Sequence, residues 1–142
     1  MPIMDASLVV ALALNDARAP KVEALIEVWL ASDEELHAPS LLPYEVASGL
    51  TGAAATGGLR HPDGVPGAWR QLMALPVTYH PLGPDGETAV VIARRLERHS
   101  AYDAAYLALA LALGTEVWTF DAKLARNAGQ LGYPVKLVEA AA

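Results

Sequence analysis

The chain has 142 residues, enough for one domain with one core, and 54% of them are apolar against 18% charged, which excludes a disordered polymer. It has no cysteine, so disulfides, thiolate catalysis and cysteine-held zinc are excluded. A net charge of −6 argues against a general nucleic-acid binder with a basic surface, but not against a site in which divalent cations mediate contact with phosphate.

Residues 1–4 read as part of a short buried strand, with Asp5 directly after it and a helix over residues 6–15 rich in Ala and Leu. Pro20 suits the first turn of a second helix, residues 21–31, with an apolar face at Val22, Leu25, Ile26 and Trp29. Residues 32–35 form a loop, and residues 36–38 a second strand that Pro39 stops. A helix over residues 41–56 tolerates Pro43 in its first turn and ends at Gly57-Gly58. Residues 60–67 read as a turn-rich connection to a helix through Trp69, Leu72 and Met73, followed by a third strand at 77–79. The helix over residues 87–98 should turn Val90, Val91 and Leu96 inward and Arg94, Arg95 and Arg98 outward. Ser100 opens an apolar helix that ends near Gly114. A fourth strand at 116–120, a helix begun by Asp121 and a last strand at 135–138 complete the chain, with alanines at 140–142.

Strands therefore alternate with helices, which implies an α/β domain spanning residues 1–142. Its parallel sheet has about five short strands and helices on both faces. The apolar runs at 6–14 and 104–113 are too short to cross a bilayer, and the first lacks the basic lead of a signal peptide. A cytoplasmic protein without membrane contact is expected.

Asp5 and Asp121 each end a strand and begin a helix, so both belong at the carboxyl rim of the sheet, where open α/β sheets bind ligands. Asp103 sits in the first turn of the helix before the fourth strand, and Glu45 in the helix after the second, among apolar neighbours. Each has a structural alternative. Asp5 and Asp121 would serve as N-caps, Ser100 and Asp103 as a capping box, and Glu45 as a solvated helix acid. Gathered together, the four form a set of hard oxygen ligands suited to Mg²⁺ or Mn²⁺.

The segments Met-Asp-Ala-Ser (4–7), Pro-Tyr-Glu-Val (43–46), Tyr-Asp-Ala-Ala-Tyr-Leu-Ala-Leu-Ala (102–110) and Thr-Phe-Asp (119–121), in that order and spacing, resemble a PIN domain. More narrowly, they resemble the VapC toxins of bacterial toxin–antitoxin pairs. The resemblance places the family's acidic quartet on Asp5, Glu45, Asp103 and Asp121, and its small hydroxyl residues near the metal on Ser7 and Thr119. It implies RNA hydrolysis, with Mg²⁺ or Mn²⁺ held chiefly by Asp5 and Asp103. It further implies a homodimer and a cognate antitoxin whose basic residues enter the acidic cleft. Some PIN domains carry another acid two residues after the fourth, where this chain has Lys123.

Lys123 and Arg126 lie close to the expected cleft and are candidates for holding RNA phosphates, with a solvated helix face as the alternative. The cluster of Arg94, Arg95 and Arg98 reads as surface. His37, His61, His80 and His99 show no metal-ligand spacing, and Trp29, Trp69 and Trp118 read as core or interface. Ser7 lacks a nucleophile elbow, and no phosphate-binding glycine loop is present. Two rival readings stand beside the nuclease. One is a phosphatase of the haloacid-dehalogenase type, disfavoured because Ser7 occupies the place of its second Asp. The other is a PIN-fold module that binds RNA or protein without catalysis.

Overall fold

The strands are short and the central ones largely apolar and buried, as suits a sheet covered on both sides. In the computed structural model, which describes residues 1–59 and 61–139, five strands run parallel: β1 (Ile3–Met4), β2 (Leu36–Pro39), β3 (Val77–His80), β4 (Val117–Thr119) and β5 (Val135–Leu137). Their order is β3-β2-β1-β4-β5. Arg60, at the head of the expected turn-rich connection, and the alanines at 140–142 lie outside the described residues.

Parallel neighbours need crossovers, and here each is helical. Helices α1 (Ala6–Ala11) and α2 (Arg18–Ala31) join β1 to β2, and α3 (Leu42–Ala55) and α4 (Gly64–Met73) join β2 to β3. A 3₁₀ turn (Gly83–Asp85), α5 (Gly86–Arg95) and α6 (Tyr102–Leu113) lead to β4, and α7 (Ala122–Gln130) leads to β5. The chain moves one way from β1 to β3, crosses over, and moves the other way from β4 to β5. Right-handed crossovers therefore put α1 to α4 on one face and α5 to α7 on the other. Accordingly α1 packs on α2 and α3, α3 on α4, and α5 on α6. Among the described residues no helix is long and apolar enough to cross a membrane.

Ile3, Met4, Leu36, Ala38 and Val117 bury the middle of the sheet. The unbroken run Ala104, Ala105, Tyr106, Leu107, Ala108, Leu109 and Ala110 buries α6 on every side, which explains its lack of a polar face. Trp29 meets Trp118 edge to face at 5.2 Å between ring centroids.

Three local expectations are corrected. Helix α1 stops at Ala11 rather than at 15, because Leu12, Ala13 and Leu14 bond three residues back and Leu14 then forms an antiparallel bridge with Leu59. Helix α4 starts at Gly64, inside the supposed connection, where Gly64 supplies a φ of 68°. In α5 the buried face is Ala89, Ile92 and Ala93, with Leu96 just beyond, whereas Val90 and Val91 stay about half exposed. Small side chains face the alanine-rich α6, and the larger valines are left outside.

Gly49 sits one turn after Glu45 on α3, and a Cβ there would come within 2.7 Å of Val10 Cγ2 on α1. Glycine thus lets α3 approach the helix that Asp5 caps. Gly49→Ala should cost about 1–3 kcal/mol by overpacking, and adding Val10→Ala should recover part of the loss. Urea melts of the two single variants and the double variant measure this; a Gly49→Ala protein as stable as the parent would show that the approach is not limiting.

Candidate active site

Strand β1 leads left toward β2 and β4 leads right toward β5, so the gap between their carboxyl ends is the topological switch point where a crevice opens. The register Ile3↔Val117 and Met4↔Trp118, extended by the Asp5 N–H donating to the Trp118 carbonyl at 3.1 Å, sets Asp5 level with the end of β4. Asp5 caps α1 through the Leu8 N–H (3.3 Å), and Asp121 caps α7 through the Leu124 N–H (3.0 Å). Both acids are therefore caps, as the structural alternative held. The bonds named involve Oδ1 of each carboxylate.

Glu45 lies in the first turn of α3, and its Oε1 accepts a 2.7 Å hydrogen bond from the Tyr106 hydroxyl on α6. Asp103 lies one turn before Tyr106. The capping box expected from Ser100 and Asp103 does not form: Ala101 is the N-cap and makes no side-chain capping bond. Asp103 Oδ2 instead lies 3.7 Å from Arg98 Nη1.

The four acids come from separate elements yet form one electrostatic unit with Asp103 as its hub. Burial raises the Asp5 pKa most, with the Asp103 charge adding to it, against lowering by Ser7, Thr119 and the Leu8 amide. Burial also raises Glu45, reinforced by Asp103 and Asp5 and opposed by Tyr106. Asp103 is raised by burial and by Asp121, while Arg98 pulls it down. Burial and the Glu45 charge hold the Tyr106 hydroxyl far above its ordinary range, so Tyr106 stays a donor.

Ser7 and Thr119 serve these carboxylates directly. The Ser7 hydroxyl donates to Asp5 Oδ1 at 2.5 Å and accepts from the Phe120 N–H at 3.1 Å. Thr119, fully buried, accepts from the Asp121 N–H at 3.0 Å and lies 3.5 Å from Ser7 Oγ. The end of β4 is thus stitched to Asp5 by hydroxyls. The donors fit a hard divalent cation: oxygen only, with three carboxylates raised by burial and by one another, a repulsion that such a cation relieves. Among the described residues no three acid or imidazole groups close around a single point as they stand; Tyr106 engages Glu45 and Arg98 engages Asp103.

Lys123 lines a cavity of about 530 Å³ beside Asp103, whereas Arg126, exposed one turn further along α7, is not among its lining residues. The three arginines of the supposed surface cluster part company. Arg94 is exposed, Arg95 lies over the Tyr133 ring and donates to its hydroxyl at 2.8 Å, and Arg98 turns toward Asp103. This last turn is set by a Schellman ending of α5, in which Glu97 adopts φ 56° and the Arg98 N–H reaches the Ala93 carbonyl. His37, within the expected second strand, and His80, one residue beyond the expected end of the third, lie in β2 and β3 and hydrogen-bond each other at 2.8 Å. Tyr106 and Arg98 were missed as site residues. The Asp103-x-x-Tyr106 spacing, one helical turn, was the available signal for the first, but Arg98 gave none.

A doubly wound parallel sheet with four coupled acids at its switch point defines a nuclease-like α/β fold of the PIN type. A family model for the PIN domain matches residues 3–130, and the chain belongs to the PIN-domain family. It is 36% identical over 140 residues to VapC ribonuclease Mb0985 of Mycobacterium bovis, covering 97% of this chain and 98% of that one. It is 31% identical over 128 residues to Ribonuclease VapC3 of Pyrobaculum aerophilum, covering 88% and 92%. The fold is shared with the crystal structure of Mycobacterium tuberculosis VapC20, titled a sarcin-ricin loop cleaving toxin, at a TM-score of 0.63 and 18% identity over 94% of this chain and 96% of that one.

The raised carboxylates carry a definite pH signature. Asp5, Glu45 and Asp103 hold folded-state pKa values above their ordinary 3.8 or 4.5. Their contribution to stability is therefore fully present below those ordinary values and is lost as pH rises through the raised ones. In chelator, Asp5→Asn should melt above the parent at neutral pH, because Asn caps about as well as Asp, and the advantage should disappear near pH 4. Calorimetry of both proteins across that range checks the sign; a variant less stable at pH 7 than at pH 4, relative to the parent, would contradict the crowding of charge.

Proposed function

We propose that this chain is a divalent-metal-dependent endoribonuclease, the toxin of a toxin–antitoxin pair. The carrying observation is the coupling of Asp5, Glu45, Asp103 and Asp121 through Asp103 at the β1–β4 switch point. The relatives' names, VapC ribonuclease and Ribonuclease VapC3, support the reaction class.

Asp5 and Asp103, with Glu45 and Asp121, would hold Mg²⁺ or Mn²⁺, which supplies polarisation of the phosphodiester and a more acidic water. The protein's part is to keep these oxygens aimed. Ser7 and Thr119 fix the Asp5 carboxylate and offset part of the upward push that burial gives its pKa. Tyr106 orients Glu45, whose carboxylate would accept the proton of the attacking water. Ser7, Thr119 and Tyr106 act as positioning residues. A homodimer belongs to the same proposal, supported by the exposed apolar group Val90, Val91 and Leu111 on α5 and α6.

Purified protein should cut labelled single-stranded RNA with Mg²⁺ or Mn²⁺ and stop in excess EDTA. Glu45→Gln should slow cleavage about 100-fold or more without lowering the melting temperature in chelator. Undiminished cutting in EDTA would remove the metal mechanism.

Four acids in one crevice also invite an inhibitor that brings Arg or Lys beside them, where desolvation strengthens the ion pairs. Copurified with the product of its neighbouring gene, the protein should be silent, and activity should return once the partner is digested away. A complex that cuts RNA as fast as the free chain would contradict this assignment.

A further inference from the structure

We propose that the cavity beside Asp103 is a second phosphate seat, holding a backbone phosphate of single-stranded RNA next to the one being cut, with Arg98 and Lys123 as its cations. The inference rests on the nuclease reading above and extends it to residues outside the acidic quartet.

The cavity measures about 530 Å³ and is lined by Leu96, Glu97, Arg98, His99, Ser100 and Asp103 together with Lys123 and Asn127. Its walls come from the connection between α5 and α6, the first turn of α6 and one side of α7. Arg98 is about a quarter exposed, and its Nη2 is buried without a hydrogen-bond partner among the described residues. Leaving such a donor unmet is costly, and native structures rarely do so outside functional sites. Its one ionic contact, to Asp103, is long at 3.7 Å. The side chains of Lys123 and Asn127 make no hydrogen bond or ion pair among the described residues, so their donor capacity is unspent.

The charge balance depends on Asp103. With its carboxylate free, Asp103 and Glu97 offset Arg98 and Lys123 in the lining. With Asp103 committed to a cation, the guanidinium would lose its one charged partner among the described residues, leaving Glu97 against Arg98 and Lys123 in the lining. A phosphate diester matches what remains: one negative charge, hard acceptor oxygens, and a planar Arg fork able to hold two of them. Position selects RNA as the source, because the cavity adjoins the acid at the hub of the quartet. The backbone supports the same role. The Schellman turn holds Glu97 at a positive φ that side chains rarely adopt, and this turn delivers Arg98 to Asp103.

The test measures binding apart from cutting. Fluorescein-labelled single-stranded RNA is titrated in Mg²⁺ with the Glu45→Gln protein as parent, and anisotropy is followed over a series of KCl concentrations. Added Arg98→Gln or Lys123→Gln should each weaken binding several-fold and flatten the salt slope by about 0.7, one single-strand phosphate contact. Arg98→Lys should keep the slope while losing affinity, which separates a charge contact from a folding role. Arg94→Gln, an exposed arginine outside the cavity lining, should change neither. Thermal melts confirm that every variant is folded. If Arg98→Gln and Lys123→Gln bind with the parent's affinity and slope while wild-type protein still cleaves RNA, the phosphate seat is wrong and the nuclease reading stands. If wild-type protein neither binds nor cleaves RNA, both fall.

Discussion

The site depends on like charge held together against its own repulsion. Three carboxylates are pushed up by burial and by one another, and nothing in the core favours that arrangement. What holds it is a set of directional donors: Ser7, Thr119 and the Leu8 amide on Asp5, Tyr106 on Glu45, Arg98 near Asp103 and the Leu124 amide on Asp121. The scaffold must be rigid to keep acids so placed. The buried α6, the β1–β4 register and the glycine contact between α1 and α3 supply that rigidity. Stability is thereby exchanged for a site ready to take a cation, a trade common at functional centres.

Much of this was written in local sequence. The acids after β1 and β4 were legible because a strand followed by Asp and a helix puts a carboxylate at the carboxyl rim of a parallel sheet, whether or not it also caps the helix. Strand count, parallel sense and the two-sided cover followed from alternation of short apolar runs with helices. The four motifs in series carry the resemblance to the family.

What stayed illegible depended on tertiary neighbours or on single backbone angles. The buried face of α5 was misassigned because size favoured the valines, whereas the surface of α6 called for alanines. Arg98 looked like one of three arginines on a helix; a positive φ at Glu97 ends that helix early and redirects it. His37 and His80 lie far apart in sequence and meet only because β2 pairs with β3. Asp103 mimicked a capping residue, and only the actual start of α6 showed that it caps nothing.

The pairing of β1 with β4 joins segments far apart in sequence, which bears on how the protein is made. A nascent polypeptide that has not yet extruded β4 lacks Thr119 and Asp121, and lacks the Trp118 carbonyl that fixes Asp5. Its central strand has no partner on one side, so no partial version of the crevice exists during translation. The topology thus makes the crevice a late product of synthesis, formed only when β4 joins a sheet whose other wall, from β1 through α6, has already been made.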